Sequence, residues 1–125
     1  MKCLTVLLTV AAVSSAAYAA EPFRLSLEKM PVGQLPPGWT AAKTGEGPGS
    51  EWKVVEDATA PASRKALAQV SAQGPKKLFN LCVADKTSFR DLDASVAFKA
   101  VAGKIDQGGG LVWRYQDANN YCSVS

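Results

Sequence analysis

Paired acidic side chains are the residues of this sequence that most resemble catalytic groups. Asp91 and Asp93 stand two positions apart in the run DLDASVAFKAV, so in a β-strand both carboxylates lie on one face. Glycoside hydrolysis uses two carboxylates close together. The other face of this run is apolar, however, which is the pattern of a strand that turns its charged side to solvent. Glu51, Glu56 and Asp57 flank another predicted strand and are interpreted in the same way. We predict no catalytic residues.

Cofactor and metal chemistry is restricted by the absence of histidine. Catalytic triads that depend on histidine, Cys–His pairs and His-based zinc sites are therefore excluded. The GGG run at 108–110 lacks the spacing of a dinucleotide-binding fingerprint and suits a turn or a bulge. No cofactor is predicted, and calcium is the one metal that the oxygen ligands present would support, with turn chemistry as the alternative explanation. These oxygen ligands are Asp106, Asp117, Asn119 and Asn120.

Aromatic and planar polar side chains are concentrated in the stretch GLVWRYQDANNY. Aromatic faces stack on the apolar surfaces of sugar rings, and polar side chains bond the hydroxyls, so this stretch is a candidate carbohydrate-binding surface. Strand alternation predicts Leu111, Trp113 and Tyr115 on one face and Arg114 on the other. Trp113 and Arg114 would then reach one ligand only if the strand bulges, and a buried core face is the alternative explanation of the aromatic stripe. The candidate ligand-binding residues are Trp113, Arg114, Tyr115 and Asn120.

The elements that would position these residues follow from a period of two in the apolar pattern. The clearest case is 91–101, where Leu92, Val96 and Phe98 share one face. Short segments of this kind, separated by Gly- and Pro-rich turns, indicate an all-β sandwich or barrel. The one helix-compatible run, 60–69, is interpreted as a loop that leads into a strand. The predicted strands are FRLSLE, EWKVVED, ALAQVSA, LFNLCVAD, DLDASVAFKAV, GLVWRYQ and NYCSV.

The first 19 residues have the layout of a secretory signal peptide. Lys2 is followed by a short apolar core and by small residues that end in the A-x-A pattern at Ala19. Cleavage after Ala19 would leave 125 − 19 = 106 residues, enough for one modest domain. We therefore predict a secreted or periplasmic protein that leaves the membrane after cleavage, with one domain at 20–125.

Charge and cysteine content add two further constraints. The chain has 14 basic and 11 acidic side chains, a net charge of +3, and no basic cluster, so nucleic acid is not a predicted partner. The mature part keeps Cys82 and Cys122. An exported protein could join them in a disulfide, while a buried free thiol is the ordinary state of a cysteine in an apolar strand. Both alternatives stay open.

The block FKAVAGKIDQGGGLVWRYQDANNY resembles the signature of secreted bacterial domains with the concanavalin A-like (laminin-G-like) jelly-roll fold. Such domains are described as 3-keto-disaccharide hydrolase-like or family 16 glycosyl-hydrolase-like. The earlier stretch LPPGWTAAKTGEGPGSEWKVVED is similar to the opening of the same family. The sequence departs from the family pattern at 122–125, where a second aromatic and apolar residues are expected. The matching positions are Gly103, Lys104, Asp106, Gly108, Gly109, Gly110, Leu111, Trp113, Arg114, Tyr115, Asp117, Asn119, Asn120 and Tyr121.

The resemblance implies an antiparallel β-sandwich of which 20–125 would be the N-terminal half, because two packed sheets of this kind need about a dozen strands. The alternative is a compact small β-domain that needs no further chain to close, with dimerisation as one way to cover its apolar face. In the half-domain, Leu92, Val96 and Phe98 would lack cover and promote self-association. The predicted function is a carbohydrate-associated binding or accessory module. The alternatives are a fragment of a hydrolase-related domain acting on a sugar derivative, with its catalytic residues further along, and a structural remnant.

Overall fold

The computed structural model describes residues 23–105 and 107–125, and these residues form an all-β structure. All strand pairs are antiparallel, as predicted, and no helix occurs in the described part of the chain, so no helix there could span a membrane. The predicted signal peptide lies outside the described residues. The strands are β1 (Trp39–Lys43), β2 (Trp52–Glu56), β3 (Lys65–Gln69), β4 (Asn80–Ala84), β5 (Leu111–Asp117) and β6 (Asn120–Val124).

The six strands form three two-stranded ladders. β2 pairs with β3 and β5 pairs with β6, both as neighbours along the chain, whereas β1 pairs with the distant β4. The β2–β3 hairpin is therefore inserted between the two strands of another ladder. The sequence WTAAK of β1 was not among the predicted strands, because its alanines and lysine have low strand propensity. The jelly-roll strand order stays a prediction, since three separate ladders do not define it.

The buried apolar core of the described residues is small. Its members are Val54 in β2, which is fully buried, and Leu81 in β4. β2 has a neighbour on both of its edges at Val54. On one side Val54 stands opposite Leu67 of β3. On the other side its carbonyl accepts a hydrogen bond from the N–H of Gly33 and its N–H donates to the carbonyl of Gln34, both at 2.8 Å. Gly33 adopts a φ of 89°, a left-handed conformation that glycine reaches without steric cost. The segment before β1 thus covers the free edge of β2.

Ser50 joins the β1–β4 ladder to β2. Its hydroxyl donates to the carbonyl of Ala42 in β1 and accepts a hydrogen bond from the indole N–H of Trp52 at 3.2 Å. Its backbone N–H donates to the side-chain oxygen of Asn80 in β4. Ser50 makes these bonds with a φ of 61°, in the left-handed region that is unfavourable for residues with a Cβ. The surrounding hydrogen bonds therefore hold the backbone in a conformation that serine does not prefer.

The predicted strand at 23–28 is wrong, because this segment enters no ladder. Side-chain contacts at its two ends hold it instead. The ammonium group of Lys65 in β3 donates to the backbone carbonyls of Glu28 and Met30, at 3.0 and 2.8 Å. Phe23, at the start of the described chain, contacts Phe89 with ring centroids 6.1 Å apart. Side-chain contacts thus replace the backbone pairing that the alternating sequence had predicted.

The predicted strand at 91–101 is also wrong as a paired strand. Its residues are all exposed, and none of the backbone hydrogen bonds in the described chain involves them. Two side chains fix it to the rest of the protein. Lys99 forms an ion pair with Asp57 at 2.6 Å, and the ring of Phe98 lies so close to Gly109 that a Cβ there would come within 2.9 Å of it. Strand formation needs a neighbouring strand edge, and no described strand offers one here.

The Asp57–Lys99 contact predicts a pH dependence. The hydrogen bond from Lys99, and then those from the hydroxyl and the backbone N–H of Thr59, hold the pKa of Asp57 well below its usual range. A carboxyl whose pKa is lowered by folding stabilises the folded state fully above its unfolded pKa of about 4, and loses this effect as the pH falls through the folded value. We expect the Asp57 carboxyl to remain ionised at about pH 3 in a ¹³C NMR titration.

Two lysine variants test this expectation. Lys99→Met should raise the pKa of Asp57 toward its ordinary value, because the first cause of the shift is removed. Lys53→Met removes a different surface ion pair, the 3.6 Å contact with Glu51, and should leave the Asp57 titration unchanged. Identical titration curves for the wild type and Lys99→Met would contradict the contact that holds 91–101.

Candidate functional site

The turn between β5 and β6 is built around the carboxylate of Asp117. The backbone N–H of Asn119 donates to it at 2.8 Å, and the side-chain amide of Asn120 donates to both of its oxygens at 2.9 and 2.8 Å. These hydrogen bonds lower the pKa of Asp117. The predicted turn is therefore present, and the amide of Asn120 is engaged in it. Calcium binding at this turn stays a prediction. The Asp117 oxygens that would bind calcium accept hydrogen bonds from N–H groups, and Asp106, another predicted ligand, lies outside the described residues.

β5 bulges at its centre. Leu111, Val112 and Trp113 face β6 in regular register, with Trp113 opposite Cys122, but pairing resumes only where Asp117 faces Asn120. Three residues of β5 (114–116) thus stand opposite the single residue 121. Arg114 begins the bulge with a φ of 52°, which is rare for a residue with a long side chain. The bulge required for Trp113 and Arg114 to act together is present, and Arg114 is exposed.

The bulge changes which aromatic side chains share a face. The ring of Tyr115 lies beside that of Tyr121, with centroids 6.3 Å apart and an interplanar angle of 34°. Tyr121 and Cys122 are consecutive in β6, so their side chains point to opposite faces. Since Cys122 is opposite Trp113, the tyrosine pair lies on the face away from Trp113. The predicted common face of Trp113 and Tyr115 is therefore wrong, because strand alternation does not continue through a bulge.

Tyr115 forms one wall of an open groove of about 270 Å³. The floor is one face of the β1–β4 ladder, where Thr40 and Val83 stand directly opposite each other. The turn that follows β4 supplies further lining residues. The residues that line this groove, which we call the Tyr115 groove, are Thr40, Ala42, Val83, Ala84, Asp85, Lys86, Thr87 and Tyr115.

The polar groups of the Tyr115 groove are held by the end of β4. The backbone N–H of Asp85 donates to Gly38 at 2.7 Å, which extends the ladder by one step, and the carboxylate of Asp85 accepts a 2.9 Å hydrogen bond from the hydroxyl of Thr40. Lys86 has a left-handed φ of 55°, and the hydroxyl of Thr87 donates to the carbonyl of Ala84 at 3.0 Å. The lining of the groove thus combines a carboxylate, an ammonium group and two hydroxyls with one aromatic side chain.

Both cysteines of the described chain are free and half-buried, so the disulfide is not formed. Burial, together with the negative charge of Asp85, raises the pKa of Cys82 to about 11. At neutral pH the thiol is therefore protonated, and only a thiolate is an effective nucleophile or metal ligand. Cys82 is a packing residue of β4 and supplies no reactive group to the groove.

The structure brings only one of the predicted ligand residues into the groove. Tyr115 lines it, whereas Trp113, Arg114 and Asn120 are not part of its lining. Sequence reasoning missed Thr40, Asp85, Lys86 and Thr87. The polar run DKT directly after the apolar run LFNLCVA was the signal present, since polar residues at the end of a buried strand often face a binding site. No group of three or more His, Cys, Asp or Glu side chains suited to a metal occurs in the described residues.

Comparison with protein-family models, with curated proteins and with solved structures found no match for this chain. The concanavalin A-like resemblance therefore remains a prediction that depends on the residues quoted for it.

Proposed function

We propose that this protein binds a neutral carbohydrate in the Tyr115 groove, as a secreted carbohydrate-associated module. The observation that carries the proposal is that the aromatic residue Tyr115 and the hydroxyl-bearing residues Thr40 and Thr87 line the same groove. An aromatic face is apolar and matches the C–H face of a pyranose, while hydroxyl, carboxylate and ammonium groups can bond the hydroxyls at the ring edge.

The size of the groove restricts the ligand. Its volume of about 270 Å³ lies just below the roughly 300–1,000 Å³ of ordinary small-molecule pockets, so it suits one or two sugar units at a time. The groove is open, which allows a longer chain to continue into solvent at either end. A terminal or internal unit of an oligosaccharide is therefore the proposed ligand.

The charged groups of the groove support binding more than hydrolysis. Glycoside hydrolysis in most families requires two carboxyl groups flanking the bond to be broken. Asp85 is the one carboxylate among the lining residues, and it already accepts a hydrogen bond from Thr40. In the proposed complex Asp85 and Lys86 act as an acceptor and a donor for sugar hydroxyls. The alternative, a hydrolase-related fragment, would need its second carboxyl group from elsewhere.

The direct test is a titration of the full chain with a panel of neutral disaccharides, followed by calorimetry and by ¹H–¹⁵N NMR. We expect saturable binding, with the largest amide shifts at Thr40, Val83 and Thr87. A matched panel of sugar acids should bind no better, because the groove contains one positive and one negative side chain. Saturable binding with shifts confined to other residues, or no binding by any member of the panel, would contradict the proposal.

A further inference from the structure

We infer that the segment 91–101 pairs in antiparallel fashion with the same segment of a second copy of this chain, with the two Val96 residues opposite each other. This inference is independent of the proposed carbohydrate site, because 91–101 contributes nothing to the Tyr115 groove. It concerns the part of the described chain whose sequence most clearly predicts a strand and whose backbone has no partner.

The backbone of this segment is ready to pair. From 92 to 103 the chain runs without a turn or bend, and every non-glycine residue from 92 to 102 has a negative φ. Within the described chain its N–H and C=O groups make no backbone hydrogen bonds, and each residue is exposed. An exposed strand edge of this kind is a template for another strand.

Charge complementarity selects a second copy of the chain as the partner. Asp93 and Lys99 each lie three residues from Val96, on opposite sides of it. In an antiparallel pair centred on Val96, the Asp93 side chain of each copy therefore stands directly opposite Lys99 of the other. Opposite charges facing each other across two strands stabilise the pairing, and the two-fold symmetry forms this pair twice. The ammonium group of Lys99 has three donors, so it can bond Asp93 of the other copy and retain its bonds to Asp57 and to the hydroxyl of Thr59.

The same register aligns the apolar face. Val96 faces Val96, Ala94 faces Phe98, and Leu92 faces Ala100, so each large side chain other than valine stands opposite a small one. In the single chain the side chains of Leu92, Val96 and Phe98 are 55%, 53% and 63% exposed. Pairing removes part of this apolar surface from water, which favours association.

The nearest alternative register is less favourable. Centring the pair on Ser95 would place Asp91 opposite Lys99 and preserve the two faces. This register would extend the pairing toward Arg90, where the chain bends, and toward Phe89, whose ring is in contact with Phe23. In the register centred on Val96, residues 92–100 pair with each other, and all of them lie in the part of the segment that has no turn or bend. Asp93, rather than Asp91, is therefore the partner of Lys99.

Sedimentation velocity of the full chain over a range of concentrations tests the inference. We expect a monomer–dimer equilibrium that Asp93→Lys weakens roughly tenfold or more, because two attractive cross-strand pairs become repulsive. The double variant D93K/K99D exchanges the two charges and should restore dimerisation to within a few-fold of the wild type. It is made together with Asp57→Asn, because Asp57 would otherwise repel the new carboxylate at position 99. Asp91→Lys makes the same change in net charge two residues away and should have a clearly smaller effect.

One further control separates the dimer contact from the tether to the protein body. Asp57→Asn removes the intramolecular ion pair of Lys99, leaves its hydrogen bond to the hydroxyl of Thr59 and does not change the interface, so it should leave the dimerisation constant nearly unchanged. A chain that stays monomeric at every concentration would overturn the inference. Three other results would also overturn it: open-ended aggregation that none of these charge changes affects, an effect of Asp91→Lys as large as that of Asp93→Lys, or, with Asp57→Asn present in both proteins, a D93K/K99D variant that dimerises no better than D93K.

Discussion

Replacing Tyr115 with alanine is expected to weaken disaccharide binding roughly tenfold, because a half-covered aromatic ring contributes about 1.5 kcal/mol when it is buried against an apolar surface. Tyr115 is the one aromatic residue that lines the groove, so no neighbouring ring of the lining could replace it. The effect should appear as a higher Kd in calorimetry, with the number of binding sites unchanged.

Two controls distinguish the ring of Tyr115 from its hydroxyl and from aromatic surface in general. Tyr115→Phe keeps the stacking face and should bind within a few-fold of the wild type. Phe79→Ala removes a ring that is 63% exposed and is not part of the groove, and should leave the Kd unchanged. Equal binding by Tyr115→Ala and the wild type would place the sugar elsewhere, whatever the affinity.

Replacing Ser50 with alanine is expected to lower the free energy of unfolding by about 2–3 kcal/mol. The substitution removes the donor to Ala42 and leaves the indole N–H of Trp52 without its acceptor in a half-buried position. Because the buried apolar side chains of residues 23–105 and 107–125 are Val54 and Leu81, we expect this polar junction between ladders to contribute strongly to the stability of this part of the chain. Urea denaturation followed by fluorescence measures the change.

Ser50→Gly is the matched control for the backbone. It loses the same hydroxyl but relieves the left-handed φ of 61°, whose cost for a residue with a Cβ is about 1–2 kcal/mol. We therefore expect Ser50→Gly to be more stable than Ser50→Ala and less stable than the wild type. The indole N–H resonance of Trp52 should shift in both variants. An unshifted indole resonance, or a more stable alanine variant than glycine variant, would contradict the junction.

The Ser50 variants change the stability of the fold, whereas the Tyr115 variants change a contact with the ligand. Ser50 holds together the β1–β4 ladder that forms the floor of the groove, whereas Tyr115 contacts the groove directly. A Ser50 variant that still folds should therefore lose affinity only in proportion to its loss of folded protein. A Tyr115 variant should lose affinity although all of the protein is folded. Circular dichroism at the temperature of the binding experiment separates the two effects.

The sequence by itself determined the class of structure and most of the strand positions. Alternating apolar residues and Gly- or Pro-rich turns predicted an all-β chain, and five predicted strands overlap β2 to β6. The β5–β6 hairpin was predictable because its turn is local: Asp117 caps the turn through Asn119 and Asn120, which follow it directly. Local hydrogen bonding of this kind is encoded within a few residues, so it can be inferred without knowledge of the rest of the fold.

Only the tertiary structure decided which strands find partners and which side chains meet. The run 91–101 has the best strand pattern but no backbone partner. Alternating apolar and polar residues suit a strand with one buried face, but they do not provide the neighbouring strand with which it must pair. β1 was missed for the converse reason, since β4 pairs with a segment of weak intrinsic preference. The bulge at Arg114 moved Tyr115 away from the face of Trp113 and into the groove. No sequence rule predicts a left-handed φ at an arginine, since the conformation belongs to the bulge in the β5–β6 pairing, whose position the alternating pattern does not mark.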